Sequence, residues 1–546
     1  MTLFLDIETN STHSVIWCVV TQVGQTQEVH YGPSTLAPLI EHAEKVVGHN
    51  AIAFDFHVLS TVWGLSVPEG KQEDTLVLSR LQKPDREGGH SLESWGERLE
   101  CLKGAYDQWD NPDMEQLVSY CKQDVNLLVK VYDTNTYELD RMKFSRQCID
   151  LEYEVARVLA QQQRNGWLLD YNHAIMLLST LKDRQQAIVF ALQEKWQPKV
   201  VKRTSEKTGK PLKDHVIKFN PNSRDHIAER LIQCGWKPEM KTPTGKWIVD
   251  ESTLEGVEIP EAKMVLESLM LQKRISQLQS WLDEMGEDNR VHGYVNSIGA
   301  VTGRCTHSSP NMSQVAGVNV PWGKEMRQCW GTPDNKRIVG VDLSGIELRC
   351  LAHYMQDPEY QKELLEGDIH TKNQKAAGLD TRAQAKTFIY ALLYGAGPAK
   401  IGSIVGGDAK TGQKLIASFM QQTPALRRLQ EKVAKLSDKG HLPGLDGRRV
   451  WIRSPHAALN TLLQSAGAIV SKQWMVIANK ALEENGVAFK QLNYSHDELE
   501  FEVDEKDVDK VRELVEYSAF LAGTTLGFRC PVAAESKVGK NWYDVH

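Results

Sequence analysis

The amino-acid sequence predicts a mixed α/β protein built from more than one compact unit. Three observations predict it. Residues 1–140 alternate short apolar, strand-like runs with helical periodicity. From about 141, long amphipathic helical patterns take over. From about 290 onward, short strands, turns and helices mix. A chain of 546 residues has room for several units at roughly 100–200 residues each.

The elements follow in chain order. Leu3-Phe4-Leu5-Asp6-Ile7 and Ser14 to Val20 read as strands, and Met114 to Tyr132 as a helix. A long helix starts near Tyr171 and runs toward Trp196. Residues 197–218 break the pattern: Lys199, Lys202, Arg203, Lys207, Lys210, Lys213 and Lys218 stand against Glu206 and Asp214. This stretch reads as an exposed basic loop. Helical periodicity resumes over Glu261 to Glu284. Ile338-Val339-Gly340-Val341 is a buried-strand candidate that ends in Asp342. Asp380-Thr381 can cap a helix that Gly395 can end. Gln491 to Ser495 leads into His496-Asp497, and Glu498 to Val503 then alternates strictly. That pattern predicts a hairpin with Asp497 at its turn, Leu499, Phe501 and Val503 inward, and three glutamates outward.

Charge and cysteines narrow the function classes. Lys and Arg total 64 against 71 Asp and Glu, a formal net charge of −7. Taken whole, this argues weakly against a general polyanion-binding protein. No run of about 18 apolar residues is present, so no membrane span is expected. The start of the chain lacks the pattern of a signal peptide. The nine cysteines are scattered and form no C-x-x-C, so a reducing cytoplasm is expected.

Two acidic constellations carry the chemistry. Asp6 and Glu8 share one face of a strand by its period of two. Two such carboxylates repel unless cations neutralise them, and Mg²⁺ suits oxygen ligands. A lone D-x-E is more often a solvated strand end. Asp55 follows a second apolar run, and Tyr120 and Asp124 stand four apart on a helix, where a surface pair is the plainer alternative. In the second constellation, Asp342 and Asp497 end two predicted strands and can approach closely enough to hold two metals. Between them, Arg382, Lys386, Tyr390 and Tyr394 form one helical stripe of two cations and two rings. Cations at a helix start are unfavourable with its dipole unless a polyphosphate binds there, and the rings offer stacking for a base.

The ordered set D-x-E, N-x₄-D and Y-x₃-D resembles the DnaQ-like 3′→5′ exonucleases, which have an RNase H-like fold. The segments VGVDLSGIELR, R-x₃-K-x₃-Y-x₃-YG and HDE resemble motifs A, B and C of DNA polymerase I-type (family A) polymerases. GDIHTKNQ, LLYGAG and AVTGRCTH resemble the wording of replicative polymerases of short-tailed bacteriophages. Together the two resemblances span essentially the whole chain.

They imply an exonuclease over 1–140 and a right-hand polymerase over 141–546. The thumb would lie near 171–288, the palm near 289–358 and 457–546, and the fingers near 359–456. In the exonuclease, Asp6, Glu8, Asp55 and Asp124 would hold two Mg²⁺ ions, with Tyr120 aiding the attacking water. In the polymerase, Asp342, Asp497 and the carbonyl of Leu343 would ligate two more, with Mn²⁺ as a substitute and Glu498 as an accessory acid. Arg382, Lys386 and His370 would bind the incoming triphosphate. Tyr390 would stack beside the nucleotide, with easy acceptance of dideoxynucleotides, and Tyr394 would pack near the templating position. Glu347 matches the steric gate against a ribose 2′-hydroxyl. Arg304, Gln464 and His496 match residues that read the minor groove of the primer–template.

The resemblance further implies dNTPs as substrates, work beside a phage helicase-primase and a single-strand-binding protein, a monomer, no membrane, and the host cytoplasm as compartment. Because 197–218 is short, thioredoxin is not expected as a partner, and the basic loop is left either to touch DNA or to stay solvated. Two departures stand out. Motif A begins D-L-S-G, and the usual N-L-Q-N-I-P segment reads Asn311 to Ala316 with other residues, which puts its contacts in doubt. Single-subunit RNA polymerases share this palm, but Glu347 and the exonuclease motifs speak against them. Retention of every metal-site carboxylate speaks against a non-catalytic relic.

Overall fold

Five strands open the chain: β1 (Thr2–Thr9), β2 (Ile16–Val23), β3 (Thr26–His30), β4 (Lys45–Gly48) and β5 (Gln72–Asp74). In this computed structural model, which describes residues 1–204 and 209–546, they pair in the order β3-β2-β1-β4-β5. The β1–β2 and β2–β3 pairs are antiparallel, and the β1–β4 and β4–β5 pairs are parallel. The Met114–Arg141 helix packs on this sheet, and Leu3, Leu5, Val19, Val46, Leu117 and Val125 share its core.

The next helix, Arg146–Asn165, starts on a Ser145 side-chain cap. It belongs to two cores at once. Tyr153 is buried in the first, whereas Leu151, Val155 and Leu159 enter a second core with Val339, Phe388, Trp474 and Phe501. A third core gathers Trp167, Trp281, Trp330 and Trp542 between the Tyr171–Lys195 and Pro260–Asp283 helices and the C-terminal end of the chain.

Residues 199–217 correct the loop expectation. They form an antiparallel hairpin, Lys199–Thr204 with Pro211–Ile217, pairing Val200 with Val216 and Lys199 with Ile217. The β-branched residues Val200, Val201, Val216 and Ile217 favour extended backbone, and the density of lysines masked that signal. Glu206 and Lys207 lie outside the described residues.

A four-stranded antiparallel sheet carries the second acidic constellation. Its order is Phe489–Ser495, Glu498–Asp504, Lys336–Leu343 and Ala534–Gly539. The predicted hairpin is present, with Ser495 opposite Glu498 and His496 at φ 60° in the two-residue turn, as such turns require. The expectation of outward glutamates fails for two of the three. Glu500 and Glu502 are buried, because the sheet is covered on both faces. The Trp542–Val545 turn lies against the second face. Gly340 makes room for it: a Cβ there would sit 2.7 Å from the Val545 Cβ. Glu502 is neutralised by Arg290 at 2.7 Å. Glu500 accepts a hydrogen bond from the Trp542 indole at 2.9 Å. Among the described residues, no helix is long and apolar enough to cross a membrane.

Candidate active sites

Strand β1 is central in the first sheet, so its side chains meet helices from both flanks. Asp6 lies opposite Val20 and Glu8 opposite Cys18. Asp55 begins the Asp55–Trp63 helix just after β4, and its carboxylate accepts the Ile7 N–H at 3.3 Å, which ties that helix start to β1. Tyr120 and Asp124 come from the Met114–Arg141 helix. All five predicted residues thus line one cavity of about 890 Å³.

The carboxyls in this cavity suppress each other's ionisation. Burial, then Asp124, pushes Asp6 up to about 7. Burial, then Asp6 and Asp124, pushes Glu8 up to about 10. Burial and Asp6 raise Asp55 well above the usual range, and burial raises Asp124. Such a cluster calls for cations. One is supplied by the chain: the Lys103 ammonium pairs with Asp124 at 2.6 Å. Cys121 adds a thiol 3.4 Å from Asp6, and Asp6, Glu8 and Cys121 can present ligand atoms within 4.8 Å of one another. No sequence pattern announces Lys103, since it lies in an irregular segment. Tyr106 and Trp109 stand 5.9 and 6.0 Å from the Tyr120 ring and give the rim an aromatic surface.

The second site lies at one end of the four-stranded sheet. Asp342 is directly opposite Glu498, and the Leu343 N–H donates to the Asp497 carbonyl at 2.9 Å. Asp342, Leu343, Asp497 and Glu498 therefore sit together. Burial and Glu498 push the Asp342 carboxyl up to about 6, although its side chain reaches solvent. Burial, then Glu347 and Asp342, pushes Asp497 up to about 7. Glu498 goes the other way. Burial works against its charge, but hydrogen bonds from Glu500, His546 and Trp542 outweigh it and hold Glu498 down to about 2. Glu500 shifts in the opposite direction, raised well above its usual value by burial and by Glu498. His546, the last residue, pairs with Glu498 at 2.6 Å. Only the folded end of the chain reveals that contact, because some fifty residues separate the two in sequence.

The stripe predicted on one helix is present. Thr381 and Gln384 form a capping box at the start of the Arg382–Leu393 helix, and Tyr394 follows at its C-cap. Arg382 and Tyr390 are separated by about 12 Å along the axis. At the near end, the Tyr394 hydroxyl donates to Glu347 at 2.8 Å, and Arg304 lies against Tyr394. Burial, then Glu347 and Asp497, raises the Tyr390 hydroxyl, which places that ring beside the acids. At the far end, Arg382 pairs with Asp368 at 2.7 Å. The His370 ring lies 6.2 Å from that of Tyr390, and burial together with Arg382 and Lys386 lowers its basicity. Gln464 donates to Asn460 at 2.8 Å, and Asn460 reaches the Tyr394 carbonyl. His496 is exposed beside Asp497. The structure therefore brings Glu347, Tyr390, Tyr394, Arg304 and the acids together, and sets Arg382 and Lys386 apart as a cationic pair, with the less basic His370 ring toward Tyr390.

Comparison with known proteins shows the family and the fold. The sequence profile of DNA polymerase family A matches residues 192–544. The DNA-directed DNA polymerase of Enterobacteria phage T3 is 34% identical, over 92% of each chain. That of Escherichia phage T7 is 33% identical, over 97% of each. DNA polymerase I of Pseudomonas aeruginosa is 25% identical, over 94% of this chain and 58% of its own. Among solved structures, the POL domain of Pol1 from M. smegmatis, in complex with DNA primer-template and dNTP, superposes with a TM-score of 0.82 over 99% of this chain and 95% of that one, at 19% identity. With that profile match and such relatives along nearly its whole length, the chain belongs to family A of the DNA polymerases, as a DNA-directed DNA polymerase of the phage type.

Proposed function

We propose that deoxynucleotidyl transfer takes place at the Asp342–Asp497 end of the four-stranded sheet with two Mg²⁺ ions, and that residues 1–140 form a 3′→5′ proofreading exonuclease. The observation that carries the reading is the adjacency of Asp342, Leu343 and Asp497, with both carboxyls pushed up by burial and by their neighbours. The donors in both sites are mainly carboxylate oxygens, which fits hard divalent cations. In the first site, Asp124 also keeps a buried oxygen with no hydrogen-bond partner among the described residues. When bound, such ions supply activation of the attacking hydroxyl or water and neutralise charge on the phosphates.

The chain's own residues position the reactants. Asp342, the Leu343 carbonyl and Asp497 hold the ions at the polymerase site, with Glu498 beside them as an accessory acid. Arg382, Lys386 and His370 bind the triphosphate, whose oxygens replace Asp368 as the partner of Arg382. Tyr390 stacks beside the incoming nucleotide, and Tyr394 lies at the templating position. Glu347 fills the space a ribose 2′-hydroxyl would need. Arg304, Gln464 and His496 contact the minor groove, where base pairs offer similar acceptors, so they test pair shape rather than sequence. At the first site, Asp6, Glu8, Asp55 and Asp124 hold the ions and Tyr120 orients the water.

The polymerase hand comprises a thumb near 171–288, a palm near 289–358 and 457–546, and fingers near 359–456. Its substrates are primer–template DNA and dNTPs, and its task is replication of phage DNA without thioredoxin. Primer extension with Mg²⁺ tests this reading. Asp342→Ala should abolish extension and spare degradation of single strands, and the double change of Asp6 and Glu8 to Ala should do the reverse. Loss of both activities from either folded variant would refute the two-site assignment. Stimulation of processivity by thioredoxin would refute the partner assignment.

A further inference from the structure

The acid cavity of the first sheet is not built from the first 140 residues alone. Tyr294 and Asn296 also line it. They lie on a short strand, Tyr294–Asn296, that pairs with Thr306–Ser308. The connection between these strands carries Arg304, which reaches the polymerase site beside Tyr394. One hairpin thus touches both sites. Its position is fixed by Ile298, which is buried in a small cluster with Leu81 and Cys148.

Arg80 belongs to the same lining. It lies on the Thr75–Gln82 helix, next to Leu81, and also lines the cavity. One guanidinium nitrogen donates to the Tyr294 hydroxyl at 3.2 Å. Its Nε is buried and has no hydrogen-bond partner among the described residues. No carboxylate among those residues pairs with it, although the cavity is rich in them. A guanidinium withdrawn from water without an anion is costly. Two histidines beside it add no positive charge: burial, then Lys103 and Arg80, brings His49 down to about 3, and burial brings His90 down to about 4. The same cavity is therefore lined by a cluster of acids and by a half-buried guanidinium that has the Tyr294 hydroxyl as acceptor but no anionic partner, with its Nε left unpaired. A phosphodiester suits both groups, since it is anionic, its two non-bridging oxygens can accept from a guanidinium fork, and it is accompanied by metals.

We propose that Arg80, oriented by the Tyr294 hydroxyl, binds a backbone phosphate of a single strand whose 3′ end lies in the acid cavity. This rests on the exonuclease reading of Asp6, Glu8, Asp55 and Asp124. Arg80 selects and places the strand, and the acids do the chemistry.

The test is steady-state hydrolysis of a 5′-labelled single-stranded oligonucleotide with Mg²⁺ by the full chain and its Arg80→Gln, Arg80→Lys and Tyr294→Phe variants. Binding of the same oligonucleotide is measured in an Asp6→Ala background across a salt series, and thermal unfolding checks each fold. Arg80→Gln should raise KM and Kd about tenfold, the value of a charge-assisted hydrogen bond, with kcat nearly unchanged. It should also reduce the slope of log Kd on log salt by about 0.7, one phosphate contact on a single strand. Arg80→Lys should recover the slope but not the full affinity, and Tyr294→Phe should weaken binding by a smaller factor. An Arg80→Gln protein that unfolds like the parent and matches its KM and salt slope overturns the inference. So does a loss confined to kcat. A parent chain that does not hydrolyse single strands overturns the exonuclease reading itself, and the inference with it.

Discussion

The Lys103 ammonium lies 2.6 Å from the Asp124 carboxylate and 5.0 Å above the Tyr120 ring. It stands where the acids of the first site most need a positive charge. Lys103→Met should therefore destabilise the protein in EDTA by about 1–2 kcal/mol, less than a fixed buried charge would cost, because Asp124 can take up a proton. Mg²⁺ should restore most of that loss. Thermal unfolding with and without the ion reads the difference, and an equal loss in both conditions would show that Lys103 and the metal do not substitute for one another.

The raised acids also set the pH at which metal matters. Asp6 and Asp497 are pushed up to about 7 and Asp342 to about 6. In the metal-free protein, the folded state keeps these protons while the unfolded chain releases them. These groups therefore cost stability as pH rises from the usual carboxylate range to about 7. Divalent ions require the ionised forms. The rise in Tm produced by Mg²⁺ should be small at pH 5.5 and large at pH 8. A rise of equal size at both values would contradict the assignment of these acids as ligands.

A buried network of charges predicts a large stability effect. Glu152 accepts from Lys472 at 2.7 Å and from Arg448 at 2.6 Å, and Arg448 also pairs with Asp446 at 2.6 Å. All four side chains are buried. Glu152→Gln would leave Lys472 without a carboxylate and Arg448 with Asp446 alone, and should cost about 3–5 kcal/mol. Because water and salt do not reach the group, the loss should persist in high salt. Denaturant unfolding of the variant at low and high ionic strength measures both.

Sugar selection should depend on a single hydrogen bond. Tyr394 holds Glu347 at 2.8 Å. Glu347→Ala should raise ribonucleotide incorporation relative to deoxynucleotide by about 10–100-fold, the range for one well-placed steric or polar contact. Tyr394→Phe, which frees Glu347 without removing it, should give a smaller rise. Single-nucleotide insertion with both sugars reads the ratio.

Local patterns announced well which carboxylates gather in each pocket, because their positions follow from short-range geometry. A period of two put Asp6 and Glu8 on one face, and a two-residue gap between alternating runs put Asp497 in a turn. Glu500 and Glu502 were illegible for a related reason. Alternation says which residues share a face, not whether that face meets water, and the covering Trp542 and Arg290 come from distant parts of the chain. Lys103, Tyr294 and His546 were equally hidden, since each reaches its partner only through tertiary packing. The basic hairpin at 199–217 shows the opposite failure: charge outweighed a β-branched signal that was present in the residues.

The acidic balance of the whole chain also reads differently beside the folded sites. The carboxylates of both pockets gather where the proposed function puts cations, and the positive groups it assigns to nucleic acid are few and local, as at Arg382, Lys386 and Arg80.

The joint between the first sheet and the rest of the molecule has one more consequence. The His441–Pro443 and Arg449–Trp451 strands form a short hairpin that reaches across to the N-terminal region. The Trp451 indole donates to the Gln82 carbonyl at 2.8 Å, Arg449 to that of Met142 at 2.9 Å, and Arg453 meets Asp85 at 3.3 Å. Tyr153 is sunk into the first core from the other side. These contacts tie the N-terminal sheet, and the pocket it carries, to the part of the molecule that holds the second pocket. Under the proposed two-site function, a strand end bound first in one pocket and then in the other would have to cover that distance itself, leaving its template on the way.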